Sequence, residues 1–152
     1  EQEFKRGLGY FEFHSWEESQ EIQQHGKKYP YTLTTNRELE HYNCGAMTRR
    51  TANEQILKSD YLMIHPKDAG DNRIEDGDFV CLESPRGKVD VKARITDEVK
   101  PGVLSTTFHF PDIMVNTITS DVHDSEAMCP EYKVVAVRIR KSRGKFKQLL
   151  QD

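Results

Sequence analysis

Apolar and polar residues alternate along much of the chain with the two-residue period of a β-strand. The segments VDVKARIT, residues 89–96, and KVVAVRIR, residues 133–140, both show this alternation. DFVCLES, residues 78–84, is apolar enough to be buried on both faces, and the SPRG turn that follows predicts a hairpin with 89–96. Shorter strands are predicted at Tyr10–His14, Tyr31–Thr35, Leu62–His65 and Val103–Thr107.

Helical patterns are few and short. HPKDAGDN, residues 65–72, predicts one helical turn because Pro66 suits the first helical position. A second short helix is predicted from Thr51 to Leu57, with Thr51 as its N-cap and Glu54 three residues later. About seven short strands separated by Gly, Pro and Asp turns favour a compact β-barrel over a sheet of βαβ units.

Composition and charge narrow the function. The 152 residues are 36% hydrophobic and 31% charged, which suits one globular domain, and no apolar run reaches the roughly 18 residues of a membrane span. We therefore expect no direct membrane contact. The net charge of −3 gives no general attraction to nucleic acid. A solvated basic tail is predicted from Arg138, Arg140, Lys141, Arg143, Lys145 and Lys147.

Cysteine usage and the missing motifs limit the chemistry. The cysteines Cys44, Cys81 and Cys129 are widely spaced and odd in number, which argues against a disulfide framework. This favours a cytoplasmic location, with the periplasm as the alternative because the start of a longer chain is not in the sequence. No zinc, nucleophile-elbow or phosphate-loop motif is present, so we expect neither a metal site nor catalytic residues. A Cys44–His41 thiolate–imidazole pair is a weak alternative.

A dense set of polar groups follows one predicted strand in TLTTNRELEHYNCGAMTRR, residues 32–50. Ligands are commonly bound where a strand ends in such a loop. The planar guanidinium of Arg37 suits a phosphate or the edge of a heterocycle. Glu38, Glu40 and Asn43 can accept from the N–H donors of guanine or a pterin. A solvated surface loop is the alternative interpretation.

Three later places add groups near predicted strand ends. TTFHF, residues 106–110, has aromatic residues on either side of His109, although Phe108 is more typical of a core than of a ligand contact. Asn116 follows a short apolar stretch, and Lys133 begins the last strand. Taken singly, each of these residues has an ordinary structural interpretation.

The motifs occur in an order and spacing that resemble a known family. TLTTNRELEHYNCGAMTRR, IHPKDAGDNRIEDGDFVCLESPRGKV and PGVLSTTFHFPDIMVNTITSDVHDSEAMCPEYKVVAVRI together resemble the C-terminal domain of molybdopterin oxidoreductases. Within that superfamily the resemblance is closest to the formate dehydrogenase α subunit and its periplasmic nitrate reductase relatives. It covers about residues 29–141, which is most of the chain.

The resemblance implies a mainly β fold, a double-psi β-barrel with short helices. It implies that the barrel, at 29–141, covers and grips the two molybdopterin guanine dinucleotides that chelate molybdenum or tungsten. An extension at 1–28 would precede the barrel and a basic tail at 142–152 would follow it. The cofactor-binding candidates are Thr35, Asn36, Arg37, Glu38, Leu39, Glu40, His41, Tyr42, Asn43, Cys44, Thr48, Arg49, Phe108, Asn116 and Lys133.

The family's iron–sulfur cysteines, its metal-ligating Cys or selenocysteine, and the His and Arg expected beside formate have no counterpart in this sequence. The implied function is therefore one cofactor-binding domain of an oxidoreductase that converts formate to CO2 and passes electrons to Fe–S clusters elsewhere. Alone, the domain is expected to be inactive. The implied partners are the remaining domains of the same polypeptide and electron-transfer subunits.

Three positions depart from the family pattern. Asn36 stands where Gly is usual, and because Asn tolerates a left-handed backbone, we expect the turn to be kept. Arg73 also stands at a usual Gly position, and the neighbouring Asn72 is expected to adopt the special backbone angle instead. Cys44 stands where a hydroxyl residue is common.

Two other functions stay open. A stand-alone barrel could recognise a protein partner through the polar loop and the basic tail. Nucleic-acid binding through Arg49, Arg50 and the tail is disfavoured by the net charge of −3.

Overall fold

Six strands and a few short helices make up the computed structural model, which describes residues 7, 9, 11, 13–124 and 127–142. The strands are β1 (Tyr31–Thr35), β2 (Tyr61–Ile64), β3 (Phe79–Glu83), β4 (Lys88–Ile95), β5 (Val103–Thr106) and β6 (Val135–Lys141). The α-helices are α1 (Gln20–His25), α2 (Asn53–Ile56) and α3 (Pro66–Asp71), and short 3-10 helices lie at Thr48–Arg50 and Val115–Ile118.

The strands close into a barrel in the order β1-β5-β2-β4-β3-β6. β1 runs parallel to β5, with Leu33 opposite Leu104, and β2 runs parallel to β4, with Leu62 opposite Ala93. The other four neighbouring pairs are antiparallel. This closed, mainly β architecture with short helices confirms the predicted fold class, and closure leaves no unpaired sheet edge.

Alternating burial along the strands fills the barrel interior. In β4, Val89, Val91 and Ala93 are buried while Lys92 and Arg94 are exposed, as the two-residue period predicts. Burying a Val, Leu or Ile side chain contributes roughly 1.5–3 kcal/mol to stability. The side chains in the centre of the core are Leu33, Leu62, Ile64, Val80, Leu82, Leu104, Val135 and Val137.

The strand directions define two ends of the barrel. β1, β3 and β5 finish, and β2, β4 and β6 begin, at one end, which we call the loop end. It carries loops 36–60 and 107–134 and the hairpin turn 84–87. The opposite end, the turn end, carries 65–78 and 96–102. The two polar segments that stand out in the sequence therefore lie at the same end.

The predicted hairpin and the helix at Pro66 are both formed. The N–H of Ser84 donates to the carbonyl oxygen of Gly87 at 2.9 Å and closes the turn between β3 and β4. α3 begins at Pro66, and His65 is its N-cap, with Nδ1 accepting from the Lys67 N–H at 3.1 Å. His65 therefore has a structural role at the end of β2.

α2 begins later than predicted. Ala52, not Thr51, is its N-cap. The Thr51 hydroxyl still accepts from the Asn53 N–H, at 3.3 Å, but as part of the turn that precedes the helix. The predicted strand at Tyr10–His14 is wrong at Phe11, Phe13 and His14, which have no strand structure, and Tyr10 and Glu12 lie outside the described residues.

Left-handed backbone angles were expected at Asn36 and Asn72, and both expectations are wrong. Asn72 has a φ of −100°, whereas Arg73 itself adopts the left-handed conformation with a φ of 55°. Asn36 has no positive φ, and in its loop the left-handed residues are Asn43, with a φ of 49°, and Gly45, with a φ of 69°. The left-handed residues of this loop therefore lie several residues beyond the end of β1.

The predicted extension contains α1, which the polarity of that segment did not reveal. Glu21 on α1 is 1% exposed, and its Oε1 accepts from Arg86 Nη2 at 2.5 Å and from the Ala136 N–H at 3.1 Å. The Ser120 hydroxyl reaches Oε2 of the same carboxylate at 3.3 Å. This buried ion pair attaches α1 to the beginning of β6 and to the hairpin turn.

The basic segment is only partly a tail. Arg138 and Lys141 belong to β6 and pair with Glu83 and Asp78, each at 2.7 Å. Residues 143–152 lie outside the described residues, and the division into 1–28, 29–141 and 142–152 stays a prediction. In the described ranges, no helix is both long and apolar enough to cross a membrane.

Candidate functional site

Loop 36–60 leaves β1 through Asn36, whose N–H donates to the Thr106 carbonyl oxygen at 2.9 Å and extends the β1–β5 pairing. The Asn36 side-chain oxygen Oδ1 is buried and has no hydrogen-bond partner in the described structure. A buried polar atom without a partner is rare in folded proteins and points to a missing polar group. Asn36 thus lies where a ligand could complete its hydrogen bonding.

His41 and Thr48 organise the interior of this loop. His41 is 4% exposed, and its Nε2 lies 2.9 Å from the Leu57 carbonyl oxygen, which can only accept, so Nε2 carries the hydrogen. Nδ1 then accepts from the Thr48 hydroxyl at 3.0 Å, and that hydroxyl accepts from the Tyr42 N–H at 3.2 Å. Both ring nitrogens of His41 are occupied, which leaves none to activate the exposed Cys44 thiol.

Two arginines lie over aromatic rings at the loop end. The Arg37 guanidinium is 5.9 Å from the centre of the Phe108 ring, and the Arg49 guanidinium is 5.6 Å from that of Phe110. Arg49 Nη1 also lies 3.6 Å from an Asp112 carboxylate oxygen, while its buried Nε has no partner in the described structure. Guanidinium groups held on aromatic faces keep their edges available to planar anionic groups.

The Glu38 carboxylate is oriented by a neighbouring phenol. The Tyr61 hydroxyl donates to Glu38 Oε1 and accepts from Arg94 Nη1 at 3.0 Å. Burial, together with the Glu38 carboxylate, raises the pKa of Tyr61 to about 12, so the phenol stays a neutral donor at physiological pH. This contact orients the Glu38 carboxylate near the start of loop 36–60.

Lys133 reaches the end of β1 from loop 107–134. It lies two residues before β6, so the prediction that it begins the last strand is wrong. Its Nζ donates to the Thr35 carbonyl oxygen and lies 3.3 Å from the Thr35 hydroxyl oxygen. Thr35 is buried, whereas Lys133 is exposed. The structure therefore brings together two predicted site residues that are far apart in the sequence.

The remaining predicted residues lie on the outer surface of the loop end. Leu39 is fully exposed, and Tyr42, Asn43 and Cys44 are exposed beside it. The Glu40 carbonyl oxygen accepts from Asn53 Nδ2 at 2.7 Å, which joins the loop to α2.

Asn116 lies in the short 3-10 helix of loop 107–134, and its side chain is exposed and makes no hydrogen bond within the described residues. It therefore shares the loop end with the other candidates, but no side-chain hydrogen bond joins it to them within the described residues.

Sequence reasoning missed Asp60. The Asp60 side chain is 0% exposed and accepts from the His109 and Phe110 N–H groups, both at 3.0 Å, and from the Thr107 hydroxyl. It therefore holds the start of loop 107–134 against the start of β2. The available signal was a single carboxylate directly before the apolar strand YLMI, which gives no indication of burial.

The aromatic residues on either side of His109 in the sequence do not by themselves place it in the site. It is 0% exposed, and its ring centre lies 5.7 Å from that of His41 and 5.4 Å from that of Phe108. The described part of the chain contains no group of three or more His, Cys, Asp or Glu side chains able to hold a metal ion. The arrangement is suited to binding a polar, anionic ligand.

Comparisons with known proteins identify the family of the chain. A family model with the description "Molydopterin dinucleotide binding domain" matches residues 31–136. The chain is 41% identical over 116 residues to the F420-dependent formate dehydrogenase subunit alpha of Methanocaldococcus jannaschii, covering 76% of this chain and 17% of that protein. It is 34% identical over 113 residues to the assimilatory nitrate reductase catalytic subunit of Bacillus subtilis, covering 73% of this chain and 16% of that protein.

The fold is also found in a solved structure. Acetylene hydratase from Pelobacter acetylenicus superimposes with a TM-score of 0.69 at 15% identity, over 80% of this chain and 19% of that chain. The chain thus spans 17% of the length of the M. jannaschii protein, and a similar share of the hydratase.

Proposed function

The chain belongs to the molydopterin dinucleotide binding domain family, and from this premise we propose that it is the cofactor-binding C-terminal domain of a formate dehydrogenase α-like oxidoreductase. The ligand would be bis(molybdopterin guanine dinucleotide) with molybdenum or tungsten. The whole enzyme would convert formate to CO2 and pass electrons out through Fe–S clusters. The compartment that we propose is the cytoplasm.

The observation that carries this proposal is the convergence of two distant loops at one end of the barrel. Loop 36–60 contributes Arg37 and Arg49 over aromatic rings, and loop 107–134 contributes those rings and Lys133. The unpartnered Asn36 Oδ1 and Arg49 Nε are an acceptor and a donor that a polar ligand would satisfy. The residues present therefore fit an anionic dinucleotide.

Different groups of the loop end would recognise different parts of the ligand. Arg49 and Lys133 are proposed to bind anionic or carbonyl oxygens, since cation-to-oxyanion hydrogen bonds are among the strongest available to a protein. The oriented Glu38 carboxylate, or Glu40, is proposed to accept from the N–H groups of guanine or pterin. Phe108 would pack against an apolar face of the ligand.

The redox chemistry would be supplied by the metal cofactor when it is bound. The residues of this chain would bind and orient the dinucleotide and exclude water from one side of it. Seven large apolar side chains are exposed at the loop end, and we propose that the remaining domains of the same polypeptide cover them. These side chains are Leu39, Tyr42, Met47, Ile56, Met114, Met128 and Tyr132.

The proposal can be tested by titrating isotope-labelled chain with guanosine diphosphate and following backbone amide shifts, with adenosine diphosphate as the control. We expect guanosine-specific shifts at residues 35–49, 108, 116 and 133. Binding is expected to be weak, because the isolated chain offers one side of the pocket and still pays the ordering cost. Shifts scattered over the turn end would contradict the proposed site.

A stand-alone barrel that recognises a protein is the second candidate, and the exposed apolar side chains of the loop end favour it equally. It predicts a stoichiometric partner unrelated to molybdenum enzymes. Electron-transfer subunits, which the family resemblance implies as partners, are proposed to bind the whole enzyme and not this chain alone.

A further inference from the structure

His109 joins the two long loops of the loop end through both of its ring nitrogens. Nε2 accepts a hydrogen bond from the Glu38 backbone N–H at 3.0 Å. Nδ1 lies 2.5 Å from the Asn43 carbonyl oxygen, and since a carbonyl only accepts, Nδ1 carries the ring hydrogen. The side chain is 0% exposed, so water does not compete for these contacts. The geometry requires the neutral Nδ1–H tautomer.

The backbone of His109 is itself held in place. Its N–H and that of Phe110 donate to the two oxygens of the buried Asp60 carboxylate, each at 3.0 Å. The Thr107 hydroxyl donates to the same carboxylate. The ring therefore projects from a fixed segment, and the position of segment 38–43 follows from the position of that ring.

Loop 36–60 also packs closely against the His109 backbone, at Gly45. Gly45 has a φ of 69°, and a Cβ at this position would lie 2.7 Å from the His109 carbonyl oxygen. Only glycine permits this close approach without a shift of one of the two loops. The loop therefore passes close to the His109 backbone two residues after Asn43.

We propose that His109 is a positioning residue that holds segment 38–43 in its ligand-binding conformation. This inference rests on the proposed function, because the segment carries six of the fifteen candidate cofactor-binding residues. A segment fixed before binding loses less conformational entropy when the ligand arrives, which increases affinity without a direct contact. Glu38 gains most, since its backbone is held by His109 and its side chain by Tyr61.

Three substitutions separate the two hydrogen bonds. His109→Gln keeps an acceptor near the position of Nε2, His109→Asn keeps a donor near the position of Nδ1, and His109→Leu removes both. His123→Leu is the matched control, because His123 is exposed and contacts neither Glu38 nor Asn43. Amide hydrogen exchange of Glu38 and the dissociation constant of guanosine diphosphate are measured for each variant.

We expect Glu38 exchange to accelerate at least about tenfold in His109→Asn and His109→Leu but not in His109→Gln. We expect guanosine diphosphate to bind about tenfold more weakly to His109→Leu, with His123→Leu unchanged. Equal affinity of wild type and His109→Leu would overturn the positioning role and leave the proposed function standing.

Measurements on the wild-type chain test whether His109 holds segment 38–43 even if a variant does not fold. Long-range proton–nitrogen spectra are expected to show His109 as the Nδ1–H tautomer, and the Glu38 amide is expected to exchange slowly. An Nε2–H tautomer or a rapidly exchanging Glu38 amide would overturn the inference. If the wild-type chain does not bind guanosine diphosphate, the proposed function fails with this probe, whereas the tautomer and the exchange rate still support or overturn the holding of the segment.

Discussion

The two ends of the barrel are closed in different ways. At the turn end, carboxylates of loop 65–78 accept backbone N–H groups of the neighbouring connection and strand: Asp68 accepts from Gly102 at 2.7 Å, and Asp76 accepts from Ile95 at 2.8 Å. At the loop end, Asp60 and His109 join segments that are distant in the sequence. Loops 65–78 and 96–102 contain none of the large exposed apolar residues of the described chain, whereas the loop end has seven.

The difference lies in what holds each end of the barrel in place. The connections of the turn end are shorter, and the strands that they join already fix their ends, so fewer side-chain contacts are needed to order them. Long loops have more conformational freedom to lose, and here buried polar side chains restrict that freedom. Removing equivalent interactions from the two ends should therefore have unequal effects.

The largest difference is expected between two aspartates that both accept backbone N–H groups. Asp60→Ala leaves three buried donors without an acceptor, so we expect the free energy of unfolding to fall by about 4 kcal/mol. Asp76→Ala removes one exposed contact and is expected to lower it by at most about 1 kcal/mol. Urea denaturation measures both, and equal losses would show that the loop end does not depend on Asp60.

A similar contrast is expected for ion pairs. Arg86→Met leaves the Glu21 carboxylate buried without its cation, which should lower the free energy of unfolding by about 3 kcal/mol. Lys141→Met breaks the exposed pair with Asp78 and should leave the urea midpoint unchanged within error. A neutral Arg86→Met variant would mean that α1 is not held by this pair.

Two glycines with positive φ provide a smaller contrast. Gly45→Ala combines backbone strain with a clash against His109, and we expect a loss of about 2 kcal/mol and weaker nucleotide binding. Gly102 has a φ of 83° but open space around it, so Gly102→Ala is expected to lose about 1 kcal/mol and keep binding intact. Thermal denaturation and titration of both variants test the prediction, which fails if Gly102→Ala impairs binding as strongly.

The smallest effect concerns the phenol beside Glu38. The pKa of Tyr61 is raised from 10.0 to about 12, mainly by burial, so the unfolded chain releases this proton first. The contribution of neutral Tyr61 to the free energy of unfolding is therefore fully present below pH 10 and should decline as the pH rises toward 12. Absorbance titration should show one of the six tyrosines ionising last, and this phase should disappear in Tyr61→Phe. A late phase that persists in Tyr61→Phe would assign it to another residue.

Strands could be predicted well because burial on one face imposes a visible period. The alternation in residues 89–96 corresponds to β4, and the SPRG turn forms as its residues require. α1 could not be predicted, since its burial depends on one carboxylate, Glu21, whose partner Arg86 is far away in the sequence. The left-handed residues were misplaced for a similar reason, because the surroundings of Arg73 outweighed its intrinsic preference.

The candidate site likewise contains residues that the sequence indicated and residues that it did not. The polar groups of residues 35–49 and Lys133 are visible as residue types, and the family resemblance predicts that they bind a cofactor. Asp60 was invisible because an aspartate before a strand is usually exposed. Its burial follows from three donors of a loop that folds back on it.

By itself the sequence determined the period of the strands, the positions of the sharp turns around Pro and Gly, and the family to which the chain belongs. The strand period and the turns depend on neighbouring residues, or on residues a few positions apart, whose sterics and polarity act locally. The family can be identified because its motifs are present in the sequence itself. Only the tertiary structure decided which polar residues point outward and which, like His109 and Asp60, are buried as supports. Closure of the barrel brings loops 36–60 and 107–134 together, and hydrogen bonds between them form only at that distance.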